Sequence, residues 1–134
     1  AFIRGPDMRV PGHYHAGIGA VTLAFMALGH LALTGGTENR WLLRSMWSYG
    51  IGQTVFAGGM FLAGAFGMPR KTYGVEHALT HWGQGLGMGL MAVGGMGALL
   101  GGILFAVVII PRLRSTPKIE EGEPCPNLKN SLGC

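Results

Sequence analysis

The chain has 134 residues, of which 49% are hydrophobic, only 12% charged and 25 glycine. Its ten basic and six acidic residues are absent from three runs, 13–37, 45–69 and 77–111. A soluble globular domain carries about twice this charged fraction, and a spanning helix needs about 20 predominantly apolar residues. The pattern excludes a soluble enzyme and predicts an all-α integral membrane protein with three transmembrane helices. The net charge of +4 sits mainly near the expected helix ends, as in membrane proteins, so it does not imply nucleic acid.

In chain order, residues 1–12 form a polar lead carrying Arg4, Asp7 and Arg9. No cleavable signal pattern precedes the first span. The chain opens at Ala1, which suits a processed chain or part of a longer polypeptide. Pro11 favours a helix start, where a missing N–H costs nothing. The first span is expected at about 13–34, ended by Gly35-Gly36-Thr37, with Glu38, Arg40 and Arg44 following. The second is expected at about 41–67, with Trp41, Trp47 and Tyr49 as interfacial aromatics and Met68-Pro69 as its stop. The third is expected at about 76–110, stopped by Pro111. At 1.5 Å per residue, its roughly 35 residues exceed a hydrocarbon core of about 30 Å. It must tilt or protrude, most simply at its 77–82 end. The membrane unit covers 13–112, and 113–134 form a polar tail with Cys125 and Cys134 outside any CxxC spacing.

Glycines concentrate in the third span, where Gly83/Gly87, Gly85/Gly89 and Gly97/Gly101 have GxxxG spacing. Such residues let helix backbones approach closely. Three helices offer few faces for so many, which points to a packing partner in this chain or another.

Antiparallel connections would place the start of span 1, the end of span 2 and the start of span 3 on one membrane face. His13, His15, Arg70, Lys71, Glu76, His77 and His81 then share one layer, and ionisable groups within a membrane protein are functional candidates. His13 and His15 are two apart, hence about 200° apart around a helix. One metal ion cannot take both from a regular helix. Two sites flanking the span can take one each, and haem iron accepts an axial histidine; two interfacial histidines are the plainer account. Arg70 and Lys71 would suit haem propionates, or would simply anchor the helix end at the membrane surface.

The stretch Val10-Pro-Gly-His-Tyr-His-Ala-Gly, followed after one hairpin by Gly67-Met-Pro-Arg-Lys, resembles the C-terminal part of subunit I of the haem-copper oxygen reductases. The resemblance covers residues 8–112, the last three of that family's twelve core helices. It implies a fold in which these helices form part of a larger haem-copper oxidase bundle. It assigns His13 to the high-spin haem iron, as the catalytic ligand, and His15 to the low-spin haem iron. Arg70 matches the first arginine of the family's propionate-binding G-M-P-R-R segment. Lys71 departs from the second, keeping the charge without the bidentate fork. Gly5-Pro6 stand where the family has its magnesium-site His-Asp pair, with Asp7 close by.

The resemblance implies two haems, with copper B liganded by residues outside this chain. The implied partners are the remaining subunit I helices, subunit II or a cytochrome electron donor, and the lipid bilayer. The implied activity is O₂ reduction to water coupled to proton pumping. A nitric oxide reductase-like subunit shares H-x-H, although the G-M-P-R-K segment argues against it. A non-catalytic accessory membrane subunit is the reading from a different class.

Other side chains have simpler roles. His77 and His81 are spaced i, i+4, a possible metal pair but more simply interfacial hydrogen-bonding groups. His30 suits packing, with a proton path as the alternative. Thr22, Ser48, Gln53 and Thr54 suit bonds to neighbouring helices, or a proton channel. Met26, Met60, Met88, Met91 and Met96 suit packing or lipid contact. If the propionates neutralise Arg70 and Lys71, the remaining cations favour Arg40, Arg44, Arg112, Arg114 and Lys118 as the inner side. The tail then lies inside and the haem face outside a bacterial or archaeal cytoplasmic membrane, or less simply a mitochondrial inner membrane.

Overall fold

A computed structural model describes residues 7–37, 39–70 and 81–115. Among them the chain forms three helices, α1 (Arg9–Thr34), α2 (Arg40–Ala65) and α3 (Trp82–Ser115). α1 and α3 are long and apolar enough to cross a membrane.

Local chemistry accounts for the helix ends. Asp7 accepts the Arg9 amide at 2.9 Å, placing a carboxylate at the positive end of α1. The helix therefore starts earlier than its apolar run, with Pro11 in the first turn, where its missing N–H has no intrahelical duty. Gly35 ends α1 in the left-handed conformation at φ 59°. Asn39 Oδ1 caps α2 by accepting the Trp41 and Leu42 amides at 3.0 and 3.3 Å, a favoured N-cap arrangement. At the other end of α2, Gly67 has φ 78°. Its N–H reaches Gly64 O at 3.0 Å, and the Met68 N–H reaches Ala63 O at 3.0 Å. These are the paired bonds of a Schellman motif.

Pro111 does not end α3, which continues through it to Ser115. Proline removes one main-chain hydrogen bond, but its ring holds φ near −65°, close to a helical value. The described part of the third helix begins at Trp82, and the expected start near residue 76 falls outside the described residues. Residues 71–80 and the tail from 116 lie outside the described part.

α2 is the central helix. Ser45, Gly52 and Gly59 on α2 lie opposite Gly101, Gly94 and Gly87 on α3, an antiparallel register repeated every seven residues. The backbones touch there. A Cβ on Gly59 would lie 2.6 Å from Gly87 O, and one on Gly87 would lie 2.7 Å from Gly59 O. Cβ atoms on Gly52 and Gly94 would each lie 2.7 Å from the other's carbonyl oxygen. A Cβ on Gly101 would lie 2.8 Å from Ser45 O. The Ser48 hydroxyl donates across the seam to Gly97 O at 3.0 Å.

α1 packs on α2 through Gly12, against Met60 and Ala57, and Gly19, against Gln53; with Met26 these are its buried residues, again seven apart. Its start is tied to the end of α2, where Met8 N–H donates to Met68 O at 3.1 Å and Asp7 pairs with Pro69 in an antiparallel bridge. α1 meets α3 where Gly29 approaches Phe105 and Ile109.

The seam sets opposite outcomes for two substitutions in α3. Gly94→Ala puts a methyl group into the backbone of Phe56 and Gly52 and should destabilise by about 1–3 kcal/mol, the usual cost of overpacking. Gly89 has nothing within 4 Å of its would-be Cβ, so Gly89→Ala should be neutral or stabilise by up to about 1 kcal/mol. Thermal unfolding midpoints in detergent check both; equal shifts would contradict the seam.

Candidate functional site

The start of α1, the end of α2 and the start of α3 form one end of the molecule, held by main-chain contacts. Besides the Met8–Met68 and Asp7–Pro69 pairing, the buried Gln84 side chain donates to Phe66 O at 3.0 Å. This ties α3 to the turn that ends α2. His81 opens α3 by accepting the Gly83 amide on Nδ1 at 3.3 Å.

His13 and His15 have different surroundings. The His15 ring is half-buried and meets the Phe56 ring edge-on, with centroids 4.9 Å apart and planes at 79°. Gln53 Nε2 donates to the His15 carbonyl at 3.0 Å. Gly19 makes this possible, because any Cβ there would collide with the Gln53 side chain. His13 is exposed and lies beside Tyr14, centroid to centroid 6.3 Å. With Gly17, Ile18 and Val21 these two line a shallow recess of about 390 Å³. The helical rotation between the two positions thus gives each imidazole its own setting.

Arg70 is exposed, directly after the Pro69 that pairs with Asp7. Lys71, Glu76 and His77 are outside the described residues, and so are Cys125 and Cys134. His81 is exposed and stacks on Phe66 at 4.6 Å with planes 22° apart, next to Trp82. Away from this end, His30 sits beside the Thr34 hydroxyl, which donates to His30 O at 2.7 Å. Met26 and Met60 are buried packing residues, whereas Met88 and Met96 face outward.

Among the described residues no group of three or more His, Cys, Asp or Glu comes together as a metal cage. His13 and His15 are each presented singly, one exposed and one half-buried.

Asp7 has a role the sequence does not assign. Arg9 Nε donates to its Oδ1 and Oδ2 at 3.1 and 3.0 Å, and Arg9 Nη2 donates to Oδ2. These bonds hold the carboxyl below its ordinary value of about 3.8, against a smaller opposing effect of desolvation. The Gln53 and Phe56 contacts with His15 also escape the sequence. The seven-residue spacing of Gly12 and Gly19 was the available signal.

The described chain is thus an all-helical protein with two helices able to cross a membrane and a histidine-bearing end gathered from all three helices. In comparisons with protein-family models, curated proteins and solved structures, no match was found.

Because the folded carboxyl titrates below its unfolded value, its contribution to stability is fully present above about pH 3.8. It is lost as pH falls from there through the lower folded value. The difference in thermal midpoint between the parent chain and Asp7→Asn should therefore be constant above about pH 5 and shrink below about pH 4. A difference independent of pH would contradict the assignment.

Proposed function

We propose that the chain is the haem-binding C-terminal part of the catalytic subunit of a haem-copper oxygen reductase, acting within a larger complex. One observation carries this reading. The main-chain pairing of Met8 with Met68 and of Asp7 with Pro69 brings the H-x-H end of α1 to the G-M-P-R turn that closes α2. Two motifs more than fifty residues apart in sequence become neighbours at one end.

Membrane insertion is the first part of the proposal. The apolar windows of α1 and α3 are only 11% and 22% buried, unlike core helices of a water-soluble domain. α2, lying between them, is the third span. The G-M-P-R end faces outside and the tail faces inside.

In this reading His13 holds the high-spin haem iron and His15 the low-spin iron through their separate imidazoles, and Arg70 and Lys71 receive propionates. Haem groups so held supply electron transfer and, together with a copper ion liganded by another part of the subunit, reduction of O₂ to water. This chain's own contribution is positional. Phe56 limits rotation of the His15 ring, while Gln53 fixes the backbone that carries it. Tyr14 and Ile18 flank His13 with apolar surface. Arg70 is exposed at the turn after α2, where a cation is well placed to stabilise an anionic group, and Lys71 follows it in sequence.

Optical spectra of the purified complex test the reading. His13→Ala should abolish the carbon monoxide-reactive haem signal and leave the low-spin bands, whereas His15→Ala should remove the low-spin bands. Unchanged spectra in both variants would leave an accessory subunit as the better account. Turnover of nitric oxide but not oxygen would favour the related reductase.

A further inference from the structure

A second feature lies at the opposite end, on the seam between α1 and α2. A groove of about 650 Å³ runs there between Leu23 and Ala27 of α1 and Trp47, Gly50, Ile51 and Thr54 of α2, and no α3 residue lines it. Ala27 and Gly50 leave the room, and the surface is apolar apart from Thr54. Its α2 wall runs from Leu43 to Val55, about 18 Å at 1.5 Å per residue. That is close to the depth of one leaflet, half of a hydrocarbon core of roughly 30 Å.

Cations stand at the outer end. Arg40, Arg44, Trp47 and Ile51 recur at three- and four-residue spacing and so form one stripe of α2, whose last two members line the groove. Both arginines are exposed, and the Arg44 guanidinium lies 5.4 Å over the Trp41 ring. Among the described residues Asp7 is the only carboxylate; it lies at the other end, paired with Arg9. The connecting loop has one acidic residue, Glu38, against these two arginines.

We propose that the groove binds one acyl chain of an anionic phospholipid, with its phosphate held by Arg40 and Arg44. Guanidinium groups match phosphate oxygens in forked pairs, and the groove gives the attached chain apolar walls over one leaflet. The proposal rests on α2 crossing the bilayer and is independent of haem binding. Loss of one therefore leaves the other standing.

The test uses the purified complex in phosphatidylcholine vesicles doped with brominated phosphatidylglycerol or brominated phosphatidylcholine, reading tryptophan fluorescence. Brominated phosphatidylglycerol should quench at a lower mole fraction, and Trp47→Phe should remove that excess quenching. Arg40→Gln and Arg44→Gln should each reduce the preference about fivefold, from roughly 1 kcal/mol per surface cation. Ala27→Phe, which fills the groove and leaves both arginines in place, should abolish it. Equal quenching by the two lipids would overturn the proposal, as would a preference that survives Ala27→Phe. Absence of Trp47 quenching by either lipid would show that a protein segment covers the groove, and would overturn it too.

Discussion

The contact between the α2 and α3 backbones organises the rest of the molecule. Ser45, Gly52 and Gly59 meet Gly101, Gly94 and Gly87 with almost no side chain between them. Side chains in an ordinary helix interface can change rotamer to absorb a slip in register. Here a slip would drive a Cβ or a larger group into a main-chain atom. The register is therefore set by sterics, with dispersion and weak Cα–H···O contacts as the attractive part. Glycine in a helix costs roughly 0.5–1 kcal/mol relative to alanine, and close approach along the whole seam offsets that cost.

Once α2 and α3 are locked, the ends follow. The turn after α2 is held against the start of α3 by the Gln84–Phe66 bond, and α1 is hung on the same turn through Met8 and Asp7. The histidine-bearing end thus depends on a seam much of which lies far from it. Gln53 extends the coupling, since its hydrogen bond ties the backbone of His15 to the central helix.

Being central also explains why α2 is less apolar than its neighbours. Its polar side chains bond to main-chain oxygens: Ser45 to Leu42, Ser48 to Gly97, Gln53 to His15 and Thr54 to Gly50. Two of these bonds cross to another helix. Flanked on two sides, α2 buries Ser45 and half-buries Ser48 and Gln53, while α1 and α3 direct Ile18, Phe25, Val93 and Val107 outward.

By itself the sequence determined that the chain is helical, where α1 ends and where α2 lies, but not the earlier start of α1 or the continuation of α3 through Pro111. Among the described residues the charge-free runs fall largely within the three helices, and Asn39, Gly35 and Gly67 cap through interactions within a few residues. The opposed directions of His13 and His15 are likewise a property of one helix. What the sequence did not reveal is nonlocal. Four-residue glycine pairs drew attention to α3 alone, whereas the packing unit is a seven-residue spacing on all three helices, visible only when facing residues are matched. Pro111 looked like a stop because its lost N–H is obvious in sequence, while its helix-compatible φ is not. The partners of His15 and the pairing of Asp7 across to the turn after α2 were decided by tertiary structure, because they depend on which backbones can approach closely enough to touch.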